Sequence, residues 1–115
     1  MEDRMMQSML LDFYGELLTE RQRSCYDLHV NEDLSLSEIA EQSGISRQGV
    51  WDNIRRAEQT LRGIEEKTGL VRRFTELRQG LASVEKKLEQ AEGRASGELR
   101  QELRQLLGEL RRLEE

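Results

Sequence analysis

The most regular apolar pattern in the chain lies between residues 34 and 61. A first, short segment has its apolar side at Ile39 and Ala40. In a second, longer segment, apolar residues recur at intervals of four, three and four, so they form one stripe along a helix. The members of this stripe are Val50, Ile54, Ala57 and Leu61. The pattern predicts two consecutive helices, the second with one buried face.

The residues around these two segments are typical of helix ends. Ser35 followed by Glu38 has the spacing of a capping box, which starts a helix. Gly44 stands where a helix ends in a left-handed residue, and Ser46 can cap the start of the next helix. Ile45 would fill the turn between them. This arrangement predicts a helix-turn-helix, whose second helix normally enters the major groove of DNA.

Two further helices are predicted before the helix-turn-helix. Residues 3–18 carry apolar residues on more than one side, so this helix should be buried broadly. Its main apolar face comprises Met6, Leu10, Phe13 or Tyr14, and Leu17, and the residues that widen it are Met5, Met9, Leu11 and Leu18. Thr19 and Gln22 form a second capping box, and the helix that follows runs to about Val30. Its inward-facing residues are Cys25 and Leu28, with Tyr26 and His29 as further candidates.

The C-terminal part of the chain is rich in leucine at heptad spacing, after an interruption at Thr68 and Gly69. One seam comprises Leu70, Phe74, Leu77, Leu81, Val84, Leu88 and Ala91. A second comprises Leu99, Leu103, Leu106, Leu110 and Leu113. The two are out of register by one residue, which favours a turn between them over one continuous helix. The helices could fold back as an antiparallel hairpin, or either seam could pair with another chain.

Composition agrees with an all-α protein. Charged residues make up 36% of the 115-residue chain, aromatic residues 4%, and proline is absent. Such a composition is typical of long helices and not of a β-sandwich or an α/β enzyme. We therefore predict a four-helix head over residues 1–67 and a leucine-rich helical tail over residues 68–115. The tail would comprise helices at 69–92 and 98–114, separated by a Gly/Ser break at 93–97.

The central segment also resembles a known group of proteins. One segment resembles the promoter-reading tail domain of bacterial sigma factors. Its sequence is SLSEIAEQSGISRQGVWDNIRRAEQTL. A closer resemblance, over roughly residues 8–90, is to the YlxM family of small bacterial helix-turn-helix proteins. It is carried by DFYGELLTERQR, by SRQGVWDNIRRAE and by the highly charged, leucine-rich tail. Gly49 and Trp51 depart from the expected alanine and tyrosine, and Gly49 costs about 1 kcal/mol of helix propensity.

This resemblance implies a regulatory protein connected with the signal recognition particle pathway, because the family's genes lie beside the gene of the particle's GTPase. A full sigma-factor activity is not expected, since the chain lacks the domains that hold polymerase and melt DNA. The alternative is a protein adaptor that acts directly on the GTPase or its receptor, without contact to nucleic acid.

A small basic surface is the candidate site for DNA or structured RNA. The chain carries a net charge of −5, so it is not a generally basic coat protein. Residues 46–63, however, hold four arginines against two acids. With the apolar stripe turned inward, steps of about 100° per residue direct Gln48, Asp52, Arg55 and Gln59 outward. Arg47 then lies on one flank, with Trp51 and Arg62, and Arg56 lies on the other. The candidate binding residues are Arg47, Gln48, Asp52, Arg55, Arg56 and Gln59.

Each residue type in this set has a defined chemistry towards nucleic acid. Arginine can bind guanine through two hydrogen bonds, glutamine can read adenine, and aspartate can accept from cytosine. Arg47, in the first turn, could instead hold a phosphate. The alternative is an ordinary solvated helix face. Asp52 and the acidic first half of the chain favour this alternative because both repel phosphate.

No catalytic or metal chemistry is expected. One histidine and one cysteine cannot form a zinc site, and the chain has neither a phosphate-binding glycine loop nor a nucleophile motif. We therefore expect no enzyme, no metal and no cofactor. The single Cys25 fits a reducing cytoplasm, and neither a signal peptide nor a transmembrane run is expected. Trp51, on the rim of the stripe, is expected to cap the core near Leu28; the alternative is an exposed anchor for a protein partner.

The distribution of apolar residues also predicts a homodimer. In the hairpin arrangement, Leu107 has no obvious partner within the chain. The same holds for a second face of the first helix, formed by Met5, Met9, Leu11 and Leu18. Large uncovered apolar patches are uncommon on soluble monomers. The expected dimer would form through the first helix and the long helix after Thr68.

Overall fold

The computed structural model describes residues 2–114, with the side chains of residues 4–114; the terminal residues of the two predicted regions, Met1 and Glu115, lie outside this range. The described residues form α-helices and no strand, which confirms the all-α fold class. The helices are α1 (Glu2–Tyr14), α2 (Glu20–Val30), α3 (Leu36–Ser43), α4 (Arg47–Thr68), α5 (Leu70–Arg94) and α6 (Gly97–Leu113). The chain divides into two compact units, residues 1–71 and residues 72–115.

The N-terminal unit is built around one hydrophobic core. Ile39 of α3 and Val50 of α4 are fully buried in it, beside Tyr26 of α2 and Leu10 of α1. The stripe predicted on α4 is confirmed, since all four of its members are buried. Val71, at the start of α5, completes the core. The rotation of α4 about its axis is therefore fixed by its apolar side chains.

The first helix is shorter than predicted. The α-helix ends at Tyr14, and residues Gly15–Leu17 form a single 3₁₀ turn. Beyond the turn, Thr19 adopts an extended conformation and caps α2 through the capping box with Gln22. The prediction that Leu17 lies on the core face is wrong, because the change of winding leaves its side chain 68% exposed.

Most of the second apolar face expected on α1 packs within the head itself. Leu11 and Leu18 are buried in the core, and Met9 packs against it. Met5, by contrast, is exposed. Most of this face therefore needs no second chain, contrary to the expectation. Between the open alternatives at Phe13 and Tyr14, Tyr14 is the buried residue.

Within the C-terminal unit, α5 and α6 form an antiparallel hairpin. The Nε atom of Arg104 lies 2.6 Å from Oε1 of Glu92, near the turn. Farther from the turn, Arg111 makes ion pairs of 2.7 Å to Glu85 and to Glu89. Pairs so spaced require the two helices to run in opposite directions. Because both arginines are more than half exposed, each pair adds little stability by itself.

The buried row of α6 differs from the predicted seam. Leu107, which was expected to lack a partner, is only 3% exposed, and Leu110 is also buried. Leu99, Leu106 and Leu113 of the predicted seam are instead exposed. The reason is rotational: Leu107 lies one helical turn before Arg111, which reaches across to α5. Leu106 is turned about 100° away from that direction.

No helix within residues 2–114 is both long enough and apolar enough to cross a membrane.

Candidate nucleic-acid interface

The turn between α3 and α4 is built by the caps that the sequence indicates. The amide of Glu38 donates a 3.1 Å hydrogen bond to Oγ of Ser35, and the amide of Ser35 donates one of 3.0 Å to the Glu38 carboxylate. These bonds also hold the pKa of Glu38 below its usual value. Gly44 ends α3 in the left-handed region, at φ 69°. A residue with a Cβ would be strained there.

The cap at the start of α4 bears on Gly49, where alanine was expected. The amide of Gly49 donates a 3.0 Å hydrogen bond to Oγ of Ser46, which caps the helix. A Cβ added at Gly49 would lie 3.2 Å from that same oxygen. An alanine here would gain helix propensity but would crowd the cap.

The candidate residues fall on the outward side of α4. Since Val50, Ile54 and Ala57 face the core, the positions between them are directed towards solvent. Arg47, Gln48, Arg55, Arg56 and Gln59 are all exposed, and Asp52 is half-buried. The structure thus places the six predicted residues on one helix, between Arg47 and Gln59.

The single acid among the candidates has a partner on the same face. Nε2 of Gln48 donates a 3.2 Å hydrogen bond to Oδ1 of Asp52, one helical turn farther on. This bond orients the amide of Gln48 and satisfies one oxygen of the carboxylate. This hydrogen bond therefore holds Asp52 in place on the surface. Its carboxylate can still repel phosphate.

Arg62 is exposed and forms an ion pair with Glu58 of the same helix. Its Nε donates a 2.6 Å hydrogen bond to Glu58, whose other oxygen accepts from the hydroxyl of the buried Tyr26. Burial, together with the bond to Glu58, raises the pKa of Tyr26, so its hydroxyl stays protonated and donating. Arg47, Arg55 and Arg56 remain the candidate basic residues of α4, since Arg62 is paired with Glu58 and Lys67 lies in the last turn of the helix.

Trp51 is exposed, contrary to the expectation that it caps the core. Its side chain is 47% accessible. It lines an open groove with Leu36 of α3 and with Arg47 and Gln48 of α4. The position one residue after Val50 explains this, because it is turned about 100° from the buried stripe. Leu36 is thus a residue of this surface that the sequence did not single out, whereas Trp51 was singled out there with an exposed position as the alternative. The indication available was the spacing of four residues between Arg47 and Trp51.

Within residues 2–114, no group of three or more His, Cys, Asp or Glu side chains could hold a metal ion. Cys25 is buried, and this burial raises the pKa of its thiol.

Comparison with known proteins assigns the family. Residues 1–103 match the family UPF0122, described as "Putative helix-turn-helix protein, YlxM / p13 like". The chain belongs to this family. The resemblance noted in the sequence is thereby confirmed.

Individual relatives agree with the assignment. A UPF0122 protein of Desulforamulus reducens is 45% identical over 106 residues, which are 92% of this chain and 88% of the relative. One of Acetivibrio thermocellus is 58% identical over 67 residues, 58% of this chain and 57% of the relative. One of Thermoanaerobacter sp. is 44% identical over 88 residues, 76% of this chain and 75% of the relative.

Proposed function

We propose that the protein is a regulator that binds nucleic acid through the outward face of α4, within residues 46–63. The observation that carries the proposal is the row of exposed Arg47, Gln48 and Arg55 on the outer side of the second helix of a helix-turn-helix. These long polar side chains lie on a different face of α4 from the buried stripe. They can therefore enter a major groove while the core stays unchanged.

The roles within this face follow from position. Arg47 occupies the first helical position after the Ser46 cap, where backbone amides and the positive end of the helix favour a phosphate. Arg55, two turns farther on, is placed to reach a base edge, and Gln48 can read adenine with its oriented amide. Arg56 lies to one side and would contact the sugar–phosphate backbone. Asp52 would select cytosine or disfavour other registers.

Charge supports a local contact and not a general one. With a net charge of −5 the protein has no general attraction for nucleic acid, so binding would depend on the few arginines of this face. Double-stranded DNA and structured RNA are both compatible with it. The connection with the signal recognition particle pathway and the cytoplasmic location belong to the same proposal.

A charge-reversal experiment tests this proposal. Arg47→Glu together with Arg55→Glu should abolish retention on labelled duplex DNA and on structured RNA, while helical circular dichroism stays intact. The matched control is Arg21→Glu with Arg23→Glu, which changes the net charge equally on the exposed side of α2. Equal retention of the two double variants would end the proposal.

One observation favours a second function, a protein adaptor. Trp51 and Leu36 present apolar surface at the same groove as Arg47, and tryptophan is enriched at the centres of protein interfaces. An adaptor for the particle's GTPase or receptor would bind its partner through this groove. Trp51→Ala would then abolish capture of that purified partner, and nuclease treatment would not change the capture.

A further inference from the structure

The hairpin of α5 and α6 has one apolar side that nothing within residues 72–114 covers. Val84 precedes Glu85, which reaches across to α6, and Leu106 precedes the buried Leu107. Each is thus displaced by about 100° from the line between the helices, and in the same rotational sense. Because the helices are antiparallel, equal displacements bring both rows to the same side of the hairpin.

Val84, Leu99, Leu106 and Leu113 of these rows are exposed, and Ala91 is half-buried. Ala91 follows Val84 at heptad spacing on α5. On α6 the row comprises Leu99, Leu106 and Leu113, of which Leu106 is 48% and Leu113 is 74% exposed. The opposite side of the hairpin is different, since the residues that follow Glu85, Glu92 and Leu107 are Lys86, Gly93 and Gly108. Only one side therefore offers a contiguous apolar surface.

Charges of opposite sign border this apolar side. Three residues after Val84 and Ala91, one step farther from the hairpin partner, α5 carries Lys87 and Arg94. Three residues after Leu99 and Leu106, α6 carries Glu102 and Glu109. All four charged residues are exposed. The apolar strip thus has a basic edge on α5 and an acidic edge on α6.

The ion pairs of the hairpin set the heights of these charges along it. Glu85 lies opposite Arg111, and Glu92 lies opposite Arg104. Lys87 is two residues after Glu85, and Glu109 is two residues before Arg111, so both lie at the same height. By the same spacing from Glu92 and Arg104, Arg94 lies level with Glu102.

We infer that this apolar side is a dimer interface and that its occupant is a second copy of the same hairpin. A two-fold axis parallel to the helices places α5 of one chain beside α6 of the other and keeps every residue at its height. Lys87 then meets Glu109 of the second copy, and Arg94 meets its Glu102. The result is an antiparallel four-helix bundle with an apolar centre.

The edge charges select this arrangement over its rival. A two-fold axis perpendicular to the helices would place α5 on α5 and α6 on α6. The basic edge would then lie against a basic edge, and the acidic edge against an acidic one, which is unfavourable. The inference goes beyond nucleic-acid binding and does not depend on it.

Analytical ultracentrifugation of the full chain across a dilution series tests the interface. The wild type should sediment as a species with twice the 13.5 kDa mass of one chain. Leu106→Glu should sediment as one chain with unchanged helical circular dichroism, because the side chain is exposed. Lys86→Glu, a charge reversal on the opposite side of the hairpin, should remain dimeric. A wild type of single-chain mass at high micromolar concentration, or a dimeric Leu106→Glu variant, would overturn the inference.

Mixing two charge variants tests the pairing itself. Lys87→Glu and Glu109→Lys should each raise the dissociation constant about tenfold, since each places like charges at both symmetric contacts. An equimolar mixture should recover the wild-type affinity, because the mixed dimer restores opposite charges at both contacts. A mixture no tighter than the separate variants would exclude the α5-on-α6 arrangement.

Discussion

The hydroxyl of Tyr14, at the last position of α1, donates a 2.6 Å hydrogen bond to Oε1 of Glu65, near the end of α4. The same carboxylate oxygen accepts from the amide of Val71, 3.1 Å away, at the start of α5. Because the phenolic proton goes to Glu65, the hydroxyl of Thr68 is the donor in its contact with Tyr14. One tyrosine thus ties the first helix to the junction of α4 and α5.

Tyr14→Phe should destabilise the N-terminal unit. The substitution keeps the ring but removes the donor to a partly buried carboxylate, for which we expect a loss of about 1–2 kcal/mol. Urea unfolding followed by circular dichroism measures the change. The control is Thr19→Ser, which keeps a capping hydroxyl and should leave the midpoint nearly unchanged. An equal midpoint for Tyr14→Phe and wild type would mean that the bond contributes nothing.

Ile54→Ala tests the rotation of α4. Ile54 is buried in the stripe that directs Arg55 outward, so its truncation should cost about 2–5 kcal/mol. Gln59→Ala, on the exposed face, should change the unfolding free energy by less than about 0.5 kcal/mol. Similar effects of the two substitutions would show that the stripe is misassigned, and with it the outward face.

Leu107→Ala tests the register of the hairpin. Leu107 is buried on α6, so the substitution should destabilise the C-terminal helices by about 2–5 kcal/mol. Gln105→Ala is the matched truncation at an exposed position of the same helix. Thermal melts of the helical signal compare them. The register would be wrong if Leu107→Ala were as mild as its control.

Glu92 predicts a pH dependence at the turn of the hairpin. The hydrogen bond and charge of Arg104, followed by Arg100, hold the pKa of Glu92 below its usual 4.5. A carboxylate whose pKa is lowered by folding stabilises the fold above its ordinary pKa, and this contribution is lost as the pH falls through the lower, folded value. The ion pair should therefore persist at pH 4.5 and disappear on further acidification.

Carboxyl NMR titration of Glu92 measures this effect. Arg104→Gln should raise the pKa of Glu92 towards its usual value, whereas Arg112→Gln, elsewhere on α6, should leave it low. If the pKa of Glu92 were the same in the wild type and in Arg104→Gln, the ion pair with Arg104 would not be the cause of the lowered pKa.

The head was largely predictable because its signals are local. Capping boxes at Thr19 and Ser35, the left-handed Gly44 and the spacing from Val50 to Leu61 each act within one or two turns. The register of α6 was not predictable in the same way. Leu103 and Leu110 belong to a stripe with Leu106 and equally to one with Leu107, so apolar spacing alone cannot choose between them. The choice depends on where Arg111 reaches Glu85, a contact between distant parts of the sequence.

The exposure of Trp51 illustrates a different limit. Large aromatic residues are usually buried, and this tendency led to the prediction that Trp51 caps the core. The rotation of α4 is set by the smaller Val50 and Ala57, and it leaves Trp51 beside Arg47. The exposure of Trp51 is therefore determined by the orientation of α4 about its axis and not by the usual burial of tryptophan.

The salt dependence of nucleic-acid binding tests the central claim most directly. We expect the affinity of the wild type for duplex DNA or structured RNA to fall steeply with salt, because each neutralised phosphate releases counterions. Removing one phosphate contact with Arg47→Ala should make the slope of log affinity against log salt shallower by about one, while Arg21→Ala leaves it unchanged. Binding that does not vary with salt, or equal slopes for wild type and Arg47→Ala, would contradict a phosphate contact at the start of α4.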